Sequence, residues 1–217
     1  MAGLFITFEG GEGAGKSTQA RLLAEFLRAQ GHDVDLTREP GGTPGGEALR
    51  DFLLFGGHDL SARAEVLAHF AARADHVERR ILPARAQGRI VICDRFADST
   101  EAYQGYGLSH GDPALLDMIG RLRGLIPAAP DLTFVLQVPP AIAQARMAGR
   151  GNARTDRYEA LDPAFHTRVA EGFDIIARRD AARCHRVDAS GPMESVQQAI
   201  RAALAPYLDG AGRGADV

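Results

Sequence analysis

The chain has 217 residues, 45% of them hydrophobic, and a formal net charge of −3. This length and apolar content suit one compact domain covering residues 1–217. The acidic balance argues against a nucleic-acid surface, which needs a basic excess, and no apolar run reaches the roughly 20 residues of a membrane helix. Two cysteines are too few for a disulfide framework, and no secretory signal is visible, so a cytoplasmic location is expected.

Apolar runs alternate with helical spacings along the chain. The predicted strands are 4–8, 33–37, 90–93, 132–138 and 185–188. The predicted helices are 16–30, 47–55, 64–86, 98–103, 113–125, one after Pro140, 163–181 and 193–208, with a loop at 39–46 and a flexible tail at 209–217. Strands separated by helices predict an α/β fold, a five-stranded parallel sheet with helices on both faces. Ligands of such sheets bind beyond the carboxyl ends of the strands, where the first three connecting loops converge.

A glycine-rich segment with the chain's single lysine follows the first strand. Its pattern, G-x-x-x-x-G-K-[ST], predicts a phosphate-binding loop in which backbone N–H groups hold phosphates, the lysine reaches the outer phosphates and the serine holds Mg²⁺. The 24 other basic residues are arginines, whose planar fork does not replace a compact ammonium in such a loop. The predicted nucleotide-binding residues are Gly10, Gly11, Glu12, Gly13, Ala14, Gly15, Lys16, Ser17 and Thr18.

Other classes of phosphate-loop protein fit the chain less well. GTPases read guanine with an Asn-Lys-x-Asp element, and this chain has no second lysine. The Leu-Ser-Gly-Gly-Gln signature of transport ATPases is also absent from the sequence. Arginines at the predicted strand ends favour instead an acceptor site for a small phosphorylated substrate.

Three segments, the phosphate loop and two later ones, carry a family resemblance. They read FEGGEGAGKST at 8–18, TREPGGT at 37–43 and DRFADSTEAYQ at 94–104. In their order and spacing they resemble the signatures of bacterial thymidylate kinases, which are phosphate-loop nucleoside monophosphate kinases. The resemblance covers nearly all of residues 4–208. It implies transfer of the γ-phosphoryl of MgATP to dTMP, giving dTDP and ADP.

The resemblance also implies roles for residues near the phosphates. Lys16 and Arg95 are expected to be catalytic, with Arg95 holding the acceptor phosphate and Ser17 a metal ligand. Asp94 is expected to hold a metal-bound water, with capping of the next turn as the alternative. Arg38 is a second candidate for the acceptor phosphate, or else forms a surface ion pair.

Further residues are expected around the acceptor. Glu12 is placed by the resemblance near the deoxyribose 3′-hydroxyl, the alternative being a solvated turn residue. Either His69 or Phe70 stacks on the base, with Phe70 as ordinary core the alternative, and Arg73 bonds the base carbonyl edge. The residues expected to border base and sugar are Ser99, Thr100, Tyr103 and Gln104, with Tyr103 disfavouring a 2′-hydroxyl.

An arginine-rich segment at 149–158 resembles the family's lid. Because the phosphate loop has no basic residue among positions 11–14, charge on the transferred phosphoryl must be met from elsewhere. The resemblance implies that the lid supplies it, with Arg150 or Arg154 as the expected catalytic arginine; the alternative is a solvated charged loop. Arg157 is expected to pair with Asp156 or Glu159. Arg146 is the candidate for stacking on the donor adenine.

Two alternatives to a dTMP kinase remain open from the sequence. One is a kinase for another nucleoside monophosphate or small phosphorylated compound. The other is a nucleotide-dependent switch that binds ATP without phosphorylating a small molecule. A homodimer is implied by the resemblance alone, and no nucleic-acid or membrane partner is expected.

Overall fold

A computed structural model describes residues 2–149 and 156–212 of the chain, with side chains up to 208. Its strands are β1 (Phe5–Glu9), β2 (Val34–Arg38), β3 (Ile90–Asp94), β4 (Leu132–Gln137) and β5 (Cys184–Asp188). All pair in parallel, in the order β2-β3-β1-β4-β5. The predicted five-stranded parallel sheet is confirmed.

Helices cover both faces of this sheet. They are α1 (Lys16–Ala29), α2 (Pro44–Phe55), α3 (Ala62–His76), α4 (Leu82–Ala86), α5 (Ala97–Thr100), α6 (Pro113–Leu125), α7 (Pro140–Ala148), α8 (Pro163–Arg179) and α9 (Met193–Gly212). Two π-helical segments, Val77–Ile81 and Glu101–Leu108, follow α3 and α5. Among the helices so described, none is long and apolar enough to cross a bilayer.

The core follows from the two-residue period of the strands. Ile6 and Phe8 of β1 face α1 and α9, where they join a buried cluster with Leu23 and Ile200. The neighbouring Phe5 points to the opposite face and packs in a second cluster beneath α4. Each fully buried large apolar side chain contributes about 1.5–3 kcal/mol, so this central strand is firmly held and fixes the loop that follows it.

The second helix begins earlier than the sequence suggested. Residues 39–46 were expected to form a loop, yet α2 starts at Pro44. Thr43 is its N-cap, and the Thr43 hydroxyl accepts from the backbone N–H of Gly46 at 2.9 Å. A proline in the first turn is compatible with such a start because its missing N–H has no partner there. The expectation of a loop was therefore wrong for residues 44–46.

The middle of the chain contains wider helical turns than the period of 3.6 predicts. The single helix expected at 64–86 begins at Ala62, capped by Ser61, and is interrupted by the π-helical segment Val77–Ile81. The short helix expected at 98–103 continues as a π-helical segment to Leu108. At the C-terminus α9 reaches Gly212, so the expected tail begins within a helix, and residues 213–217 lie outside the described part.

Candidate active site

Glycine shapes the loop between β1 and α1. Gly10, Gly13 and Gly15 have φ angles of 135°, 71° and 88°, which residues with a Cβ rarely adopt. A Cβ on Gly13 would also lie 2.5 Å from the backbone oxygen of Ala143. Among the described residues, no side chain caps the first turn of α1. The backbone N–H groups at this helix start are therefore available to an anion.

Lys16 lies buried at the start of α1. Its Nζ donates to the backbone oxygen of Gly11 at 2.7 Å. Burial lowers the pKa of Lys16 to about 8, and the nearby Arg95 guanidinium adds to this effect. An ammonium withdrawn from water in this way is stabilised by an anionic partner. A phosphate in the loop would supply that partner.

Ser17 and Asp94 meet at the carboxyl edge of the sheet. The Ser17 hydroxyl donates to Asp94 Oδ2, while Asp94 Oδ1 is buried without a hydrogen-bond partner in the described structure. Mg²⁺ takes few protein oxygens and completes its shell with water and phosphate, and within residues 2–149 and 156–212 no group of three or more His, Cys, Asp or Glu side chains offers a larger metal cage. The two side chains therefore fit a magnesium site. The backbone N–H of Phe96, just before α5, donates to Glu9 Oε1 at 2.7 Å and not to Asp94.

Arg95 reaches from the end of β3 to the phosphate loop. Its φ of 72° lies in the left-handed region, which costs a non-glycine residue about 1–2 kcal/mol. Its Nη1 donates to Gly10 O and Ser99 Oγ, both at 3.1 Å. Its Nη2 donates to Glu12 Oε1 at 2.5 Å and to Tyr103 Oη at 2.9 Å. Unfavourable backbone geometry retained at the mouth of a cleft is typical of functional residues.

Glu12 is paired within the cleft. Besides Arg95, it accepts from the Tyr103 hydroxyl at 2.7 Å. The side chain is only 10% exposed, so the alternative of a solvated turn residue does not hold in this structure. The acidic side chain in the phosphate loop is neutralised by Arg95.

These residues line one cavity of about 320 Å³, here called the central cavity. Its volume lies in the range of small-molecule sites. It brings together most of the residues predicted from the sequence, namely Glu12, Gly15, Lys16, Ser17, Thr18, Arg38, His69, Arg73, Asp94, Arg95, Ser99, Thr100, Tyr103 and Gln104. Of the remaining loop residues, Ala14 is buried in the core beside α1.

Arg38 lies at the outer edge of the central cavity. It is 54% exposed and its Nη2 bonds Glu47 Oε2 at 2.9 Å. The surface ion-pair alternative describes Arg38 in this structure. Such pairs contribute about 0–1 kcal/mol, so a phosphate entering the cavity can compete with Glu47 for the guanidinium.

Arg73 forms part of the inner wall. Its guanidinium carbon lies 4.7 Å from the centroid of the Phe70 ring and 5.3 Å from that of Phe96. Nε donates to Glu39 Oε2 at 2.8 Å, and Nη2 donates to Phe96 O and Thr100 Oγ1, both at 3.1 Å. Nη1 is buried without a partner in the described part of the chain. Nη1 therefore keeps unused hydrogen-bonding capacity in the wall of the cavity.

His69 and Phe70 occupy different surroundings. His69 lines the central cavity, whereas Phe70 packs in a buried cluster with Val66, Leu115 and Ile119. The core alternative therefore describes Phe70 in this structure. Burial lowers the pKa of His69 to about 3, with further lowering by Arg73 and Arg157, so the imidazole is neutral at physiological pH.

A family model for thymidylate kinase matches residues 8–200. The thymidylate kinase of Gluconobacter oxydans is 59% identical over 202 residues, which cover 93% of this chain and 94% of that relative. The chain belongs to the thymidylate kinase family.

Other comparisons agree with this membership. The thymidylate kinase of Caulobacter vibrioides is 50% identical over 200 residues, covering 91% of this chain and 94% of the relative. The crystal structure of thymidylate kinase from Ehrlichia chaffeensis matches with a TM-score of 0.75 at 36% identity, over 94% of this chain and 99% of that one. The resemblance drawn from the three sequence segments and the predicted phosphate-loop kinase fold are confirmed.

The expected lid of this thymidylate kinase family member is only partly described. Arg150 and Arg154 lie outside the described residues, and Arg146 is half-buried on α7. The expectation that Arg157 pairs with Asp156 or Glu159 was wrong, because Arg157 Nη2 bonds Glu65 Oε2 at 2.5 Å. Glu65 is buried, and a buried carboxylate needs a cation more than the partly exposed Asp156 and Glu159 do.

Sequence reasoning missed several acidic and aromatic side chains around the cavity. Glu39 orients Arg73, as described above. Tyr158 lines the cavity next to His69, and its hydroxyl donates to the buried Glu65. Glu9 is fully buried behind the Arg95 turn, and its Oε2 lies 2.6 Å from Ser99 Oγ. The available signal was weak because the partners are distant in sequence, although Glu9 and Glu39 lie inside the segments FEGGEGAGKST and TREPGGT.

The buried carboxyl group of Glu9 is expected to make the free energy of unfolding depend on pH. Burial raises the pKa of Glu9 to about 8, with the Asp98 carboxylate adding to the effect. Because the folded pKa lies above the unfolded value, stability from the protonated form is complete below about pH 4.5 and is lost as the pH rises towards 8. Glu9→Gln imitates the protonated acid. As the pH rises from 5 to 8.5, its free energy of unfolding is expected to increase relative to the wild type by about 1 kcal/mol or more, which is about 2–4 °C in Tm. If the melting temperatures of the wild type and of Glu9→Gln changed in parallel across this pH range, the raised pKa of Glu9 would be contradicted.

Proposed function

We propose that this chain transfers the γ-phosphoryl group of MgATP to dTMP, giving dTDP and ADP for the synthesis of DNA precursors. The observation that carries the proposal is the position of Arg95, which reaches from β3 to the phosphate loop inside the cavity that also holds Lys16. An acceptor phosphate held by Arg95 would lie opposite donor phosphates held by Lys16. Phosphoryl transfer needs this in-line placement and charge stabilisation more than covalent help from the protein.

The donor side is assigned to the phosphate loop. The backbone from Gly10 to Ser17 would hold the ATP phosphates, and Lys16 would reach towards the transferred group. Ser17 and Asp94 would hold Mg²⁺, directly or through its water, and the ion neutralises phosphate charge when bound. Arg146 is assigned to the adenine, and Arg150 or Arg154 of the lid to the charge that develops on the transferred phosphoryl.

The acceptor side is assigned to the rest of the cavity. Arg95, with Arg38 as a second cation, would hold the dTMP phosphate. Glu12 would lie near the 3′-hydroxyl, and Tyr103 would crowd a 2′-hydroxyl and so favour deoxyribose. The unpaired Nη1 of Arg73 suits the carbonyl edge of thymine, with Ser99, Thr100 and Gln104 bordering base and sugar.

We assign base stacking to His69 instead of Phe70, since His69 lines the cavity. His69→Ala is expected to raise the KM for dTMP by about tenfold or more, from the loss of a stacking surface of about 1–3 kcal/mol, with kcat changed less. Phe70→Leu is expected to lower the free energy of unfolding by about 1–1.5 kcal/mol with a small effect on KM. Steady-state kinetics and thermal unfolding of both variants measure this. The reverse pattern would assign stacking to Phe70.

A coupled assay of ADP release across dTMP, dUMP, dCMP, AMP and GMP tests the reaction itself. dTMP is expected to give the highest kcat/KM. A higher value for another monophosphate would change the acceptor, and ATP binding without stimulated ADP release by any of them would favour a nucleotide-dependent switch.

Dependence on Mg²⁺, a homodimer and a cytoplasmic location complete the proposal. Both cysteines are free and buried, as in a reducing compartment.

The side chains of Phe52 on α2 and Leu67 on α3 are 38% and 49% exposed, and they offer apolar surface for a second copy of the chain. Light scattering of the purified chain reports its oligomeric state.

A further inference from the structure

Tyr158, the last residue of the predicted lid, lies in a buried polar cluster at the wall of the central cavity, which it lines together with His69 and Gln104. Its Oη is 2.7 Å from Glu65 Oε1, 2.9 Å from Gln104 Nε2 and 3.2 Å from His69 Nε2. All four side chains are buried. Three parts of the chain thus meet at one hydroxyl: α3, the π-helical segment Glu101–Leu108 and the end of the lid.

The hydrogen bonds of this cluster determine where its protons lie. Glu65 bonds Arg157 through Oε2, and its Oε1 accepts from Tyr158, whose single proton is thereby used. Gln104 Nε2 donates both to Glu65 Oε1, at 3.0 Å, and to Tyr158. The second lone pair of Tyr158 Oη is left for His69, so His69 Nε2 carries the proton. The neutral imidazole is therefore held as the Nε2–H tautomer.

The position of the hydroxyl is itself fixed by aromatic packing. The Tyr158 ring lies 5.6 Å from the Tyr103 ring, edge to face, and 6.4 Å from the Phe165 ring, stacked. A tyrosine held on two sides presents its hydroxyl at one place. Histidine, by contrast, has a broad preference for its second side-chain torsion, so the plane of the His69 ring depends on the bond at Nε2.

We propose that Tyr158 and Glu65 are positioning residues for His69, fixing the tautomer and the ring plane against which the acceptor base stacks. This inference rests on the proposed function and adds two residues to it. Tyr158 contacts His69 directly, and Glu65 acts through Tyr158. A phenylalanine at position 69 would not need them, because it has no polar edge to satisfy. A buried histidine at this position needs Tyr158 and Glu65, since a buried N–H without a hydrogen-bond partner costs stability.

A double-mutant cycle tests the dependence on His69. Tyr158→Phe in the wild type is expected to raise the KM for dTMP about tenfold while kcat changes by less than about threefold. In a His69→Phe background the same Tyr158→Phe change is expected to alter KM by less than about threefold. Glu65→Gln is expected to follow the same pattern. Tyr106→Phe, on the same π-helical segment as Gln104, is the matched control and should leave kinetics unchanged.

Equal effects of Tyr158→Phe in both backgrounds, or no effect in the wild type, would overturn the proposal. A fall in kcat in both backgrounds would also overturn it and assign Tyr158 to movement of the lid. Melting temperatures identify any variant that is unfolded, in which case Glu65→Gln replaces it in the cycle. Failure of the proposed function is seen separately, as a wild-type chain that does not phosphorylate dTMP.

Discussion

Lys16→Ala is expected to lower kcat by about 10²–10³-fold while the fold is retained. Lys16 is the only ammonium side chain in the chain, and it lies buried at the phosphate loop with its Nζ on Gly11 O. Removing one preorganised charge or donor from a site where charge develops costs about this factor. Lys16→Arg is expected to restore little activity, because a planar guanidinium does not fit the place of a compact ammonium.

Steady-state kinetics, with melting temperature as the check on folding, measure the effect of Lys16→Ala. Arg21→Ala is a matched control, since Arg21 lies on the same helix in an exposed pair with Glu25 and should act normally. The lowered pKa of Lys16, about 8, adds a chemical readout: at pH 8 about half of this amine is neutral in the ligand-free protein. An acylating reagent should modify Lys16 more slowly when ATP is present. Near-normal kcat in Lys16→Ala would remove Lys16 from the mechanism.

Arg95→Ala is expected to have a comparable effect, a loss of about 10³-fold in kcat/KM for dTMP. The substitution removes the cation assigned to the acceptor phosphate. It also removes the cation that pairs with the Glu12 carboxylate, so that repulsion between Glu12 and the proposed donor and acceptor phosphates adds to the lost attraction. Breaking a largely buried pair of this kind also costs about 3–5 kcal/mol of stability. KM for dTMP should rise more than KM for ATP.

Two further variants separate the stability and activity effects of Arg95→Ala. Adding Glu12→Gln should recover most of the lost melting temperature, because the buried charge is gone, but should not recover activity. Arg38→Ala is the comparator: its guanidinium is exposed and paired with Glu47, and its loss should cost about tenfold or less. An Arg95→Ala enzyme with ordinary KM for dTMP would contradict the assignment.

Local sequence patterns were sufficient for the parts of the site that are close together along the chain. The phosphate loop is one continuous segment, and its glycines and single lysine identify it. The parallel sheet follows from the alternation of apolar strands with helices, and it brings Asp94 and Arg95 to the same edge as Lys16.

The parts of the site that the sequence did not reveal depend on partners far apart in the chain. Glu65 meets Tyr158 across 93 positions, and Glu9 meets Ser99 across 90. No local period indicates such pairs. The π-helical segment Glu101–Leu108, which carries Tyr103 and Gln104, packs against α8. The early start of α2 depends on a single cap at Thr43.

The most direct test of the central claim is calorimetric titration of a compound that joins adenosine and thymidine through a chain of phosphates. If Lys16 and Arg95 hold donor and acceptor phosphates end to end in one cavity, one molecule binds per chain, and either ATP or dTMP alone competes with it. Lys16→Ala and Arg95→Ala should each weaken this binding. Binding that neither nucleotide displaces, or no binding at all, would contradict a shared cavity for the two substrates.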